Sequence, residues 1–381
     1  MDIIVKYIDE LLEKSTPEAP MWNIEKIRQG LKSNWNYIDG VMIKAVLQMY
    51  DVTKDEKYLK FADNFIDYRV HEDGTIDGYN IGEKNIDNVN AGKTLFELYD
   101  LTGKEKYRKA IDLVYSQIEI MPRCNNEARS FWHKDIYPNQ VWLDGLYMGL
   151  PFYLEYETRY NDRKNYSDIF GQFKFVIENM RNPVNGLYFH AMDTSREAFW
   201  CDKVTGLSQH CWLRASGWYA MALLDTLDKV DNSDHKYDAE CKMLEDAFVE
   251  LMDSMLKYQD ESGMWYQVVN YGGMDKNYLE TSGSSIMAYA LLKAVRLGYL
   301  SDDYAQYAKK AIDGICERYL KTKEDGSLSL GGICLVAGLG GNGRRPGTYD
   351  YYMSEPIVED DAKGVGPFLL AYTEMLAYKN R

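Results

Sequence analysis

The sequence predicts an all-α protein, an (α/α)6 toroid of six helical hairpins with short strands in its rim loops. Three observations predict it. First, six glycines stand one residue into long apolar runs, in the pairs Asp39-Gly40, Ala91-Gly92, Asp144-Gly145, Ser216-Gly217, Ser282-Gly283 and Lys363-Gly364. A helix apolar nearly all round must be buried, and a small residue at its start lets neighbouring backbones approach. Second, amphipathic segments alternate with the buried ones. Third, Tyr50-Asp51-Val52-Thr53-Lys54-Asp55-Glu56-Lys57-Tyr58 returns as Tyr99-Asp100-Leu101-Thr102-Gly103-Lys104-Glu105-Lys106-Tyr107, each marking the exit from a buried helix, a turn and a charged outer helix.

Taken in order, the expected helices cover 2–14, 38–51, 55–70, 87–101, 104–121, 142–158, 163–181, 214–229, 236–259, 282–297, 301–321 and 362–378. Between outer and inner helices lie turn-rich pieces, Asp73-Gly74, Asn185-Gly186, Ser262-Gly263 and Asp325-Gly326, suited to short strands at the barrel mouth. Nothing rich in Pro, Gly or Ser divides the 381 residues, so one catalytic domain over 1–381 is expected.

Composition excludes several classes. A net charge of −15 argues against nucleic acid, whose phosphates need a basic footprint. No apolar run approaches a membrane span, and the start, with Asp2, Lys6, Asp9, Glu10 and Glu13, does not resemble a secretory signal. The six cysteines show no CxxC or metal-ligand spacing; with them reduced, a cytoplasmic protein without metal or cofactor is expected. P-loop, nucleophile-elbow and HExxH patterns are missing as well. The segment Gly338-Leu339-Gly340-Gly341-Asn342-Gly343 follows no βαβ pattern and reads as a rim loop, with Arg344 and Arg345 beside it either as surface charge, the favoured reading, or as cations that reach an anionic ligand.

The chemistry gathers before the inner helices. Six of eight tryptophans, Trp35, Trp132, Trp142, Trp200, Trp212 and Trp218, lie there, near His133, His190, His210, Arg214, Asp87 and Asp144. Aromatic faces beside carboxylates and imidazoles suit a sugar, with its apolar C–H faces and hydroxylated rim. Aspartate at a helix start also has an ordinary capping role, and for Asp39 that role suffices. Asp144 differs, because its surround Val141-Trp142-Leu143-Asp144-Gly145-Leu146-Tyr147 is apolar and aromatic. Burial raises a carboxyl pKa, as a general acid near neutrality requires, which makes Asp144 the better acid and Asp87 the better charged partner.

At these residues the chain resembles the unsaturated rhamnogalacturonyl hydrolases, glycoside hydrolase family 105, along nearly its whole length. The resemblance is carried by Trp35-Asn36-Tyr37, Asp87-Asn88-Val89-Asn90-Ala91-Gly92, Phe131-Trp132-His133-Lys134, Val141 to Gly149, Leu187-Tyr188-Phe189-His190, Trp212-Leu213-Arg214-Ala215-Ser216-Gly217-Trp218 and Lys363-Gly364-Val365-Gly366. It implies removal of a 4,5-unsaturated uronic acid from the non-reducing end of a lyase product, by hydration of the C4=C5 bond. On that resemblance Asp144 is the acid/base and Asp87 the second essential carboxylate. Tyr37, His133, Lys134, Trp142, His190, Trp212, Arg214 and Trp218 surround the sugar. The implied partner is a small acidic oligosaccharide, most simply unsaturated galacturonyl-rhamnose. Loops 193–209 and 335–353 match no motif and are expected to shape the site beyond the unsaturated sugar.

Two rival readings remain at this level. A sugar epimerase on the same toroid would need two opposed proton-transfer groups, and His133, His190 and His210 make one conceivable. A non-catalytic carbohydrate-binding protein would keep the aromatic faces without needing Asp144.

Overall fold

The computed structural model describes residues 3–380; Asp2, where the first expected helix begins, lies outside them. Fourteen α-helices are present among the described residues: α1 (Ile3–Glu13), α2 (Ile24–Gln29), α3 (Tyr37–Thr53), α4 (Glu56–Asp67), α5 (Lys93–Thr102), α6 (Glu105–Ile120), α7 (Leu143–Tyr160), α8 (Tyr166–Asn179), α9 (Leu213–Lys229), α10 (Asp238–Leu256), α11 (Thr281–Leu297), α12 (Ala305–Tyr319), α13 (Tyr349–Ser354) and α14 (Ala362–Lys379). Leaving aside the six-residue α2 and α13, these are the twelve helices that the periodicity predicts. The inner ring runs α3, α5, α7, α9, α11 and α14. Neighbours pack on one another, with the turn at 86–92 that leads into α5 making the contact to α7, and α14 closes the circle against α3. The (α/α)6 toroid is therefore the fold.

Inner and outer helices differ as burial demands. Every residue of α11 from Thr281 to Val295 is buried, whereas α4 buries only Tyr58, Ala62, Phe65 and Ile66 on one stripe. The entry glycines make room in two ways. A Cβ on Gly40 would stand 2.6 Å from the Ala91 Cα, so here two backbones do meet. A Cβ on Gly145 would instead press on His133 Nδ1 at 2.9 Å, so that glycine seats a site residue.

One inner helix departs from expectation. Residues 86–92 form a 3-10 turn, and the α-helix starts only at Lys93. Asp87, Asn88, Asn90 and Gly92 are poor formers of helix interior, and their side chains compete for backbone groups.

Of the four turn-rich returns, one closes on a strand pair and two on a single bridge. Val70 bridges Ile76 around Gly74, Arg181 bridges Tyr188 around Gly186, and β3 (Leu320–Thr322) pairs with β4 (Leu328–Leu330) around Gly326. Each of those glycines takes a positive φ, 87°, 76° and 82° respectively, which only glycine adopts at no cost. Two further strand pairs form on the rim: β1 (Gln140–Trp142) with β2 (Ala191–Asp193), and β5 (Ile333–Cys334) with β6 (Ile357–Val358).

Candidate active site

The three helix-start aspartates have different fates. None of them is the cap. Asn36 accepts from the Asp39 amide at the start of α3, and Asn85 accepts from the Asp87 amide. Asp39 is buried and takes hydrogen bonds from Trp22 Nε1 (2.9 Å), Ser33 Oγ (2.6 Å) and Asn36 Nδ2 (2.9 Å), so its carboxylate is spent on structure. Asp87 and Asp144 face site residues instead.

The rim strands position those partners. Trp142 stands opposite Ala191 in the β1–β2 ladder, and the Leu143 amide donates to the His190 carbonyl at 3.1 Å. That register carries His190 beside the first turn of α7. Its Nε2 lies 3.2 Å from Asp144 Oδ2, although the two do not form an aligned hydrogen bond. The other ring nitrogen, Nδ1, meets the Tyr352 hydroxyl at 2.8 Å. His190 is wholly buried, while the Asp144 side chain keeps 14% of its surface open. Asp144 is thus less enclosed than its apolar neighbours in sequence suggest.

Asp87 sits in a second group. The Ile86 amide donates to the His133 carbonyl (3.2 Å), and the bridge between Asn85 and Lys134 lays the 131–142 segment along the 3-10 turn. Lys134 Nζ is 2.7 Å from Asp87 Oδ2, and His133 Nε2 is 3.5 Å from Oδ1. Burial works against the Asp87 charge, yet Lys134 and His133 hold its carboxyl below the usual range. Burial pushes His133 down to about 4, so that imidazole is neutral near pH 7. His133 links the two groups, with Nε2 toward Asp87 and Nδ1 against Gly145, the residue after Asp144.

Aromatic faces enclose this end. His133 stacks on Trp142 at 4.5 Å with 3° between planes, and Tyr137 lies over the same indole at 5.1 Å. Trp212 comes within 4.8 Å of His190, its Nε1 donating to Gln267 Oε1 at 3.1 Å. Trp218 is placed differently: it stacks on Tyr147 at 4.9 Å, one helical turn further into the barrel, and not on the ring group of His133, Trp142 and His190. Tyr37 opens α3, near enough to Asp87 and Arg214 to feel both charges; burial, chiefly, keeps its hydroxyl protonated.

The cations are mostly answered from within. Arg214 is buried, its Nε donating to Ser282 Oγ at 2.7 Å and its Nη2 to the Cys334 carbonyl, with Glu280 Oε1 at 3.7 Å. Burial opposes that charge, but Cys334 and Glu280 hold the guanidinium above its ordinary range. Lys363 pairs with Glu25 (2.6 Å) and Asp361 (3.1 Å).

Sequence reasoning missed Tyr137 and Tyr352 and favoured surface charge for Arg345. Arg345 is no plain surface charge: its Nη2 donates to the Tyr137 hydroxyl at 2.7 Å, and its Nε donates to the Gly340 carbonyl at 3.3 Å. Loops 193–209 and 335–353 meet here, because Trp200 and Leu339 share a small apolar cluster with Tyr137 and Trp142. The doubled arginine after a glycine-rich loop was the one available signal.

Comparison with known proteins agrees with this fold. Residues 8–379 match Glycosyl Hydrolase Family 88. A solved structure of a glycoside hydrolase from family 105, from C. acetobutylicum ATCC 824, is 41% identical, covers 100% of this chain and 99% of its own, and superposes with a TM-score of 0.88. Protein Atu3128 of Agrobacterium fabrum is 41% identical over 235 residues, 60% of this chain and 98% of that protein. The unsaturated rhamnogalacturonyl hydrolase YesR of Bacillus subtilis is 26% identical over 300 residues, 77% of this chain and 78% of that protein. The chain belongs to the glycoside hydrolases of the family 88 type and, through its full-length relative, to family 105.

Proposed function

We propose that the protein removes the 4,5-unsaturated uronic acid from the non-reducing end of lyase-generated oligosaccharides, acting in the cytoplasm as one catalytic domain over 1–381. Unsaturated galacturonyl-rhamnose is the preferred substrate. The likeness to the Bacillus enzyme supports the substrate class. Six free thiols and the lack, among the described residues, of a helix able to cross a membrane support the location.

The observation that carries the reading is the unlike pairing of two carboxylates at one barrel end, Asp87 with Lys134 and Asp144 with His190. Asp144 delivers a proton to C4, which leaves positive charge shared between C5 and the ring oxygen. Asp87, kept ionised by Lys134, offsets that charge. Asp144, now a carboxylate, takes a proton from the water that adds at C5. The hemiketal opens to a 5-keto group, and C1 then releases the next sugar as an alcohol. His190, fixed by Tyr352, orients Asp144.

Arg214 meets the uronate carboxylate. Its Nε and Nη2 bonds fix the plane of the guanidinium fork, which matches a carboxylate. Tyr37, His133, Trp142 and Trp212 present faces and donors to the sugar, and Trp218 acts by bracing Tyr147 from behind.

A panel of lyase-generated unsaturated oligosaccharides tests the function. Near-ultraviolet enol-ether absorbance should fall first with rhamnogalacturonan products. Epimerisation of a reducing disaccharide without loss of that absorbance would support the epimerase reading instead.

A further inference from the structure

A cavity of about 560 Å3 opens at the opposite end of the barrel, where the inner helices finish. Seven cations and seven carboxylates line it. Six of those cations stand at ion-pair distance from a carboxylate of the same wall; Lys44 pairs with Glu97, and Lys293 with Asp225 (2.8 Å) and Asp228 (3.0 Å). The seventh, Lys93, has no carboxylate at that distance among the described residues.

Lys93 is also the most awkwardly held. Only 9% of the residue is exposed. Its Nζ lies 3.4 Å from the centre of the Tyr147 ring and donates one long hydrogen bond, 3.3 Å, to the Tyr147 carbonyl. An ammonium has three donors, and one carbonyl with an aromatic face answers only part of that demand. Burying such a charge without a counterion is costly. Burial accordingly pushes Lys93 down to about 7; Lys44 and Lys293 push the same way, while Asp225 and Glu155 oppose them. Tyr147, whose ring covers the ammonium, is itself kept protonated by burial.

We propose that this cavity is a second binding site, for a small monocarboxylate whose oxygens meet the Lys93 ammonium. The other six wall cations already hold carboxylates, and Lys293 answers both Asp225 and Asp228, so Lys93 is the one wall cation that a carboxylate ligand reaches without displacing an ion pair. A second negative charge on the ligand would find no further unpaired cation among seven carboxylates, which selects one charge over two. The apolar wall beside it, Tyr147, Pro151, Met221 and Leu370, takes the body of a ligand of sugar-acid size. The site is independent of the catalytic reading, because it shares none of Asp87, Asp144 or their partners.

Titration calorimetry with galacturonate, acetate and inorganic phosphate tests it, at pH 8 in two buffers of different ionisation heat. At pH 8 the empty site holds Lys93 mostly neutral, so carboxylate binding should draw a proton from the buffer. Galacturonate and acetate should bind with that uptake, and phosphate at least tenfold more weakly. Lys93→Met, or Lys93→Gln should the first variant not fold, should weaken galacturonate binding at least tenfold and abolish the uptake. Three results overturn the proposal: no saturable binding to the wild-type protein, binding without proton uptake, or binding that survives loss of the Lys93 amine.

Discussion

The two ends of the barrel are built from the same six inner helices and yet carry opposite kinds of chemistry. At the end where those helices start, Asp87 and Asp144 stand among His133, His190, Trp142 and Trp212, and Asp144 Oδ2 and His190 Nε2 are left without an aligned partner. At the end where they finish, charge is denser but nearly all of it is neutralised within the wall. Helix dipoles favour this division: starts present unpaired N–H groups to negative charge, and ends favour cations such as Arg159, Lys229 and Arg296 in the last turns. The face-to-face pair of Tyr147 and Trp218 lies between. Polarity alone therefore does not mark a reactive site. What differs is the company the charges keep: Asp87 and Asp144 stand beside imidazoles and aromatic rings, whereas most charges at the far end pair with one another.

That contrast can be broken by three substitutions. The largest effect belongs to Asp144→Asn, which keeps the shape and removes the proton. Turnover should fall by about 10²–10⁴-fold, the usual contribution of general acid–base catalysis. Its thermal midpoint should stay with that of the wild type. Near-normal turnover in the folded variant would take Asp144 out of the chemistry.

Lys293→Met should do the reverse. It leaves Asp225 and Asp228 facing each other without their shared cation, and removing one partner of a buried pair costs about 3–5 kcal/mol. Asp225 and Asp228 keep some solvent, so the lower end of that range applies. Denaturant unfolding should show the loss while kcat/KM stays within about twofold, since the site is at the other end. A large fall in kcat/KM at unchanged stability would contradict the division.

The smallest effect concerns pH. Burial pushes His133 down to about 4 in the folded protein, below the ordinary imidazole value of 6.5. Between those values the unfolded chain holds the extra proton, so stability rises with pH across this window and is lost as pH falls through it. His133→Gln should flatten the stability profile between pH 4 and 6.5, while a profile equal to the wild type's would mean that His133 is charged in the folded protein.

Much of this was legible in the sequence, for local reasons. Helix periodicity and entry glycines are written in neighbouring residues, so twelve helices and their alternation could be read directly. That Asp87 and Asp144 come to the same barrel end was legible because each stands in a short, distinctive segment at the start of an inner helix. The ties that fix the site were not. His190 meets Tyr352 across 162 positions, and Arg214 meets the Cys334 carbonyl across 120. No local pattern encodes either. Trp218 shows a second limit: its place near a helix start was correct, but the helix rotation that turns its ring onto Tyr147 depends on packing between α7 and α9. The 3-10 turn at 86–92 shows a third, since its asparagines and glycine weaken the helix without stating what replaces it.

Turnover in heavy water decides whether a proton from Asp144 goes to a ring carbon. An ordinary inverting or retaining glycosidase attacks the anomeric carbon and never protonates C4. Hydration instead delivers one deuterium to C4 of the released uronate during turnover. The label must be read at early times against a control of product alone, because the keto product exchanges neighbouring protons slowly. Early C4 deuterium that matches the extent of cleavage is the predicted result; cleavage with no early label would contradict hydration and return Asp144 and Asp87 to a conventional carboxylate pair.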